Sequence, residues 1–280
     1  MKINIAHIGS NDWFNYKTEI VYGLYHSLVR LGHEVGMSHN QLLPDFHNII
    51  IGADWLTEDA HVQHIKKTKL DFSVFDVEGF DGKTVNQRPS FNIKTYLELL
   101  CSSRFIFSPY RYNFKAYANC GLSEKCKYTP WGYYEELIDP NISSRAPKLF
   151  DAVFFGLLKG ERVEKLNKLA AIPNMRLKAV SNSDPHMMRA YYLSATRYGL
   201  SLSAGKNEFF VNPFRIYLMA ANGIPVLADN LKDEDNYLQY AIRKDVVDME
   251  GFLAEPGSEL SHVKSIVDGY RLVDSFKSIF

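Results

Sequence analysis

Cysteine is scarce in this 280-residue chain: Cys101, Cys120 and Cys126 are the three present, an odd number with no C-x-x-C spacing. That argues against a disulfide framework, and makes the reducing cytoplasm the expected compartment. Long apolar runs are missing as well. None approaches the roughly 20 residues that cross a bilayer, and the opening Met1-Lys2-Ile3-Asn4-Ile5-Ala6-His7-Ile8 turns polar too soon for a signal peptide. Neither sign of charge prevails, with 32 Lys and Arg against 32 Asp and Glu, so no protein-wide attraction to nucleic acid can be argued. Short-period repeats and low-complexity tracts are also lacking, which leaves a globular reading.

What is present suits a folded α/β protein. The hydrophobic share of 46% and the charged share of 23% are ordinary, while the aromatic share of 14% is rich. Short apolar runs at 3–8, 34–37, 48–51, 72–77 and 104–107 read as strands. Between them, 18–31, 58–68, 93–101 and 114–118 carry helical spacing, with Ile20, Val21, Leu24, Leu28 and Leu31 on one face of the first and Gly32 ending it. After a polar, Pro-bearing passage at 139–147, read as an interdomain linker, the alternation restarts. Strands are expected at 152–155, 177–180, 200–203 and 225–228, and helices at 161–171, 185–194, 213–222 and 260–276. Alternation of this kind implies two doubly wound parallel sheets, assigned to 1–145 and 146–259, with 260–280 as a helix packing back on the first domain.

In open parallel sheets, ligands gather beyond the carboxyl ends of the strands, and three segments fall there. The first is Phe155-Gly156-Leu157-Leu158-Lys159-Gly160-Glu161-Arg162. Gly156 and Gly160 permit close backbone approach, and Lys159 and Arg162 suit a diphosphate; the same residues also suit a plain strand–helix turn with solvated charges. The second runs from Asn212 to Asp229. Asn212 is a good N-cap, Pro213 fits the first helical position and Gly223 ends the helix. Free amides and Arg215 at its start suit phosphate, although Arg215 could equally pair with a surface carboxylate. The third is Phe72-Ser73-Val74-Phe75-Asp76-Val77-Glu78. Asp76 near a strand end is placed to accept a proton from an attacking hydroxyl, with Glu78 as its substitute; capping a loop is the alternative role.

Together these segments resemble the GT-B glycosyltransferases, and more narrowly the T-even phage DNA β-glucosyltransferases. Asn15-Tyr16-Lys17-Thr18 is similar to that family's Asn-Phe-Lys-Thr run, and Phe75-Asp76-Val77 to the strand end carrying its catalytic Asp. Lys159, Arg162 and Arg215 match residues holding the donor diphosphate. The resemblance implies two Rossmann-like domains facing a central cleft, the first taking the acceptor and the second the nucleotide-sugar. It also implies inverting transfer from a UDP-sugar to a hydroxymethylated base in phage DNA, in a host cytoplasm. One position departs: the Glu that binds the donor ribose is replaced by Leu218, which cannot accept a hydrogen bond from a hydroxyl, and Glu208 lies far upstream.

A DNA acceptor has some local support. Between Lys83 and Lys127 stand Lys83, Arg88, Lys94, Arg104, Arg111, Lys115, Lys125 and Lys127 against Glu98 and Glu124 alone. Arg111-Tyr112-Asn113-Phe114-Lys115 interleaves rings with charge, so Arg88, Arg111 and Lys115 are the candidate DNA contacts, and a base in a duplex would have to flip out to react. Solvated helix faces carry similar charge. His61 and His64, beside Glu58 and Asp59, lack a third and fourth ligand for a structural metal. A divalent ion such as Mg or Mn assisting diphosphate departure is compatible with the sequence and not required by it. Two alternatives stay open: transfer to a glycan or small molecule, and a non-catalytic GT-B-like binding module.

Overall fold

A computed structural model of the chain describes residues 1–9, 11–56, 58–86, 88, 91–143, 145–180, 186–204, 211–229, 231–254 and 265–280. It divides into two units, Met1–Tyr134 with Arg271–Phe280, and Glu135–Tyr270.

The first unit contains β1 (Lys2–His7), α1 (Asn11–Arg30), β2 (Glu34–His39), β3 (His47–Ile51), α2 (Asp59–Thr68), β4 (Phe72–Phe75), α3 (Ile93–Ser102), β5 (Ile106–Ser108), α4 (Arg111–Asn119) and β6 (Cys126–Tyr128). Its strands lie in the order β2-β1-β3-β4-β5-β6, and every neighbouring pair is parallel. All five residues of β3 are buried, as expected where helices cover both faces of a sheet. The polar pair at its start is satisfied within the sheet. Asn48 Oδ1 accepts from Asn4 Nδ2 at 2.9 Å, and His47 is held between Asp71 Oδ2 at 2.9 Å and Ser73 Oγ at 3.0 Å. Ile20, Val21, Leu24 and Leu28 form the buried stripe of α1. The chain leaves β1 for β2 on one side and returns to β3 on the other. The carboxyl ends of β1 and β3 therefore flank a topological switch point, the usual ligand position in such sheets.

The second unit contains β7 (Phe150–Phe155), α5 (Glu161–Ala170), β8 (Leu177–Val180), α6 (His186–Ser194), β9 (Thr196–Ser201), α7 (Pro213–Ala221), β10 (Val226–Ala228), β11 (Ile242–Arg243) and α8 (Val246–Ala254). The order is β11-β10-β9-β7-β8, again all parallel, with its switch point between β7 and β9. Asn212 caps α7, accepting from the Arg215 amide at 3.1 Å, with Pro213 in the first turn. Gly199 lets α7 approach β9, because a Cβ there would sit 1.9 Å from Met219 Sδ.

Two expectations are corrected. Within the passage expected as an interdomain linker, the Asp139 amide donates to Asn222 Oδ1 at 2.8 Å and the Ser143 amide to Ser194 Oγ at 2.9 Å. These bonds tie the passage to the second unit, which begins at Glu135 rather than at residue 146. The expected final helix, 260–276, lies partly outside the described residues, and its described part holds a single 3-10 turn, Leu272–Ser275. Its polar groups find partners outside the segment: the Leu272 amide donates to Tyr133 O at 2.9 Å and Ser275 Oγ to Pro130 O at 2.7 Å. Phe276 packs against Phe75 and Phe107, with ring centroids 6.3 and 6.0 Å away.

Candidate functional site

The first unit gathers its chemistry just past β4. Asp76 is buried. Its Oδ2 accepts a hydrogen bond from Tyr96 Oη of α3 at 2.7 Å and a second from Tyr117 Oη of α4, while Oδ1 accepts from the Glu78 amide at 3.3 Å. Loss of water pushes the carboxyl up to about 6, with the Tyr117 and Tyr96 hydroxyls holding it from rising further. Burial, followed by the Asp76 charge, raises both phenols well above their ordinary range, so they remain donors. A carboxylate of this kind is ionised at neutral pH yet basic enough to take a proton.

Beside it lies an ion cluster that sequence reading missed. Lys17, on α1, is buried, with Nζ 3.2 Å from Glu78 Oε1 and 3.9 Å from Asp54 Oδ1. Arg88 closes the other side of Asp54 at 2.7 Å, and Asn86 Nδ2 donates to Glu78 Oε2. Burial would raise Glu78, but Lys17, the Asn86 amide and Arg88 outweigh it and bring the carboxyl below its usual value. Asp54 goes up instead, through burial and the neighbouring Glu78 charge, which exceed the pull of Lys17 and Arg88. Lys17 stays firmly charged, because its two carboxylates overcome its own desolvation. Next to the cluster, His7 is lowered to about 4 by burial, Lys17 and His39, and its ring stacks on His39 at 5.2 Å. Glu78 is thus Lys17's ion partner rather than an interchangeable substitute for Asp76.

In the second unit, three of the expected residues come together at the end of β7. Arg162 and Arg215 are both buried, and their guanidiniums lie 5.2 and 5.0 Å from the Phe154 ring centroid. Main-chain carbonyls aim them: Arg162 Nε donates to Leu202 O at 2.9 Å and Nη1 to Leu157 O, and Arg215 Nε donates to Phe155 O at 3.0 Å. Bonds of this type fix geometry without cancelling charge. Gly156 makes room, since a Cβ there would stand 2.8 Å from Arg215 Nη2. Gly160, at φ 57°, caps α5 where a Cβ would meet Ala204 O at 2.3 Å. Just past β9, Ser203 is held by Asp229 Oδ2, which accepts from the Ser203 amide (2.7 Å), Ser203 Oγ (2.6 Å) and Lys165 Nζ (2.9 Å).

Other expected residues stand apart from these groupings. Lys159 is exposed on the loop before α5. Leu218 is buried in α7, while Glu208 lies outside the described residues. Of the three candidate DNA contacts, Arg88 is committed to Asp54, Arg111 lies 4.0 Å over the Tyr128 ring and Lys115 is exposed on α4. Among the other basic residues of that stretch, Arg104 is 4.0 Å from Asp71 Oδ2 and Lys125 donates to the Cys101 and Ser103 carbonyls. His61 sits 4.0 Å from Glu58 Oε2, and among the described residues no group of three His, Cys, Asp or Glu side chains could hold a metal. Nor is any described helix long and apolar enough to cross a membrane.

No protein-family model and no curated sequence matches the chain. Solved structures do. A putative UDP-N-acetylglucosamine 2-epimerase from Listeria monocytogenes aligns over 99% of this chain and 94% of its own, with TM-score 0.54 at 10% identity. The UDP-GlcNAc 2-epimerase from Neisseria meningitidis, bound to UDP-GlcNAc, aligns over 100% and 98%, with TM-score 0.54 at 12% identity. The lipopolysaccharide outer core galactosyltransferase WaaB, in its apo form, aligns over 99% and 98%, with TM-score 0.51 at 10% identity. The fold is GT-B. At these identities the likeness speaks for the architecture, two α/β units of six and five parallel strands, and the chemistry has to be argued from side chains.

Proposed function

We propose that the protein is a glycosyltransferase that moves a sugar from a UDP-sugar to an acceptor hydroxyl with inversion. One observation carries this reading: Arg162 and Arg215, from two helices, share the Phe154 ring beside Gly156 at the switch point of the second sheet. Two fixed guanidiniums and a glycine backbone suit a diphosphate leaving group, whose growing charge they would stabilise. Lys159, exposed on the loop before α5, is the further cation that the sequence suggests for that site. In the first unit, Asp76 serves as general base. The acceptor O–H bond breaks toward Asp76, the oxygen bonds to the sugar's anomeric carbon, and the anomeric C–O bond breaks toward the diphosphate.

For the acceptor, the reading extends to a hydroxymethylated base in duplex DNA. The support is the row of cations on rings near β5 and β6: Arg111 over Tyr128, and Arg104 and Lys127 each 5.5 Å over Phe105. A glycan or small-molecule acceptor is the second reading, favoured by the engagement of Arg88, Arg104 and Lys125 within the protein. The deciding experiment measures UDP release from UDP-glucose, UDP-galactose and UDP-GlcNAc with hydroxymethylated duplex DNA, with unmodified DNA and without DNA. Release that depends on the hydroxymethyl group is expected, with loss in Asp76→Asn. DNA-independent transfer selects the second reading, and no release with any donor refutes glycosyl transfer in favour of a binding module.

A further inference from the structure

The donor site described above uses cations from α5 and α7, and a third helix sends one to the next ring at the end of the same strand. Arg189, on α6, is half-buried, and its guanidinium carbon lies 5.6 Å from the Phe155 ring centroid. Arg215 spans the two rings at the end of β7, 5.0 Å from Phe154 and 5.9 Å from Phe155. Arg162 stands 5.2 Å from Phe154. The guanidiniums of three helices are therefore strung along two consecutive aromatic residues, with Gly156 directly following them. Ring faces offset part of the mutual repulsion of such charges, but an anion with its charge spread over several oxygens offsets far more, and planar guanidiniums match phosphate oxygens in pairs.

We infer that Arg189 is a third diphosphate-binding residue of the second unit, extending the Arg162–Arg215 pair past Phe155 toward the far phosphate of a nucleoside diphosphate. This rests on the reading of that unit as the nucleotide side. It differs from the sequence expectation, in which Lys159 was the additional cation. Lys159 is an exposed point charge on a loop, whereas Arg189 rises from α6 and lies over the Phe155 ring.

The test is calorimetric titration of the full chain with UDP, ADP, GDP, CDP and dTDP, followed by the free nucleoside of whichever diphosphate binds. Arg189→Ala should weaken that diphosphate roughly ten- to a hundredfold, the range for a lost charge-assisted hydrogen bond, and leave nucleoside affinity unchanged. Arg189→Lys should fall between the two. Unliganded thermal midpoints check the fold, and Arg189→Gln replaces the alanine variant if that fails to fold. Diphosphate affinity equal to the unsubstituted chain's, or an equal loss for nucleoside and diphosphate, overturns the inference and leaves the donor reading standing. Failure of the unsubstituted chain to bind any of the five overturns both.

Discussion

Lys17 Nζ and Glu78 Oε1 lie 3.2 Å apart, with the lysine side chain only 5% exposed. A buried cation here is stable only because two carboxylates face it, and removing it strands both charges away from water. Breaking a buried ion pair from one side costs roughly 3–5 kcal/mol. Lys17→Met should therefore lower the free energy of unfolding in urea by about that much at pH 7. Adding Glu78→Gln should return part of the loss, so that the double variant is less destabilised than the sum of the two single variants. Strict additivity would show that the pair is not coupled.

Asp76 makes a pH prediction whose sign follows from its raised carboxyl, pushed up to about 6. In the general-base role proposed above it must be ionised, so kcat/KM should fall as pH drops through about 6. Tyr117→Phe removes a hydrogen bond that favours the ionised form and should move this limb upward. Stability runs the opposite way. The native state holds this proton more tightly than the unfolded chain, whose Asp titrates near 3.9, so the contribution is complete below about 4 and lost as pH rises through about 6. Urea melts of Asp76→Asn and the unsubstituted chain at pH 4.5 and 7 should differ by this dependence. A difference that does not change with pH would place the kinetic limb on another group.

The strand–helix alternation was readable because each parallel strand must be apolar along its length and each covering helix apolar on one stripe, as in Ile49-Ile50-Ile51 and Ile20-Val21-Leu24-Leu28. The signal fades at one edge of each sheet. Cys126-Lys127-Tyr128 and Ile242-Arg243 are short and half-polar, so β6 and β11 carried no period to detect. Arg215 and Arg162 were legible because helix starts after strands announce themselves through Asn212-Pro213 and Gly160. Asp54, Lys17 and Arg88 were not, since their meeting depends on how the residues after β3 and β4 turn against α1. Tyr96 and Tyr117 look like core aromatics in sequence, and only packing against the end of β4 aims their hydroxyls at Asp76. Arg189 was likewise hidden in the middle of a helix, where arginine is ordinarily a solvated residue.

Gly156 and Gly160 separate function from folding. At Gly160, an alanine Cβ would meet the Ala204 carbonyl at 2.3 Å, a backbone atom that cannot step aside, and the residue has a left-handed φ of 57°. Gly160→Ala should lower the unfolding free energy by at least the roughly 1–3 kcal/mol of backbone strain. At Gly156 the obstacle is the Arg215 tip at 2.8 Å, which can move at the expense of its aim. Gly156→Ala should carry backbone strain too, but in addition weaken UDP binding relative to Gly160→Ala, measured by titration well below both melting points. Equal binding in the two variants would remove Arg215 from the diphosphate site.

Arg88 and Arg111 provide the sharpest test of a DNA acceptor, because the structure gives them different duties. Arg88 is tied to the buried Asp54 carboxylate at 2.7 Å, so Arg88→Ala should reduce stability by leaving Asp54 with Lys17 alone, and should leave the salt dependence of DNA binding unchanged. Arg111 is exposed at the start of α4, stacked 4.0 Å over Tyr128, where a phosphate can share the guanidinium's edge. A lost phosphate contact weakens binding to all sequences alike and lowers the slope of log affinity against log salt by about one. Arg111→Ala should do both with little change in unfolding free energy, as measured by fluorescence anisotropy across a salt series. If Arg88→Ala changes the slope and Arg111→Ala does not, the DNA-facing surface lies on the side of Arg88 and the stacked residues of α4 and β6 are not part of it.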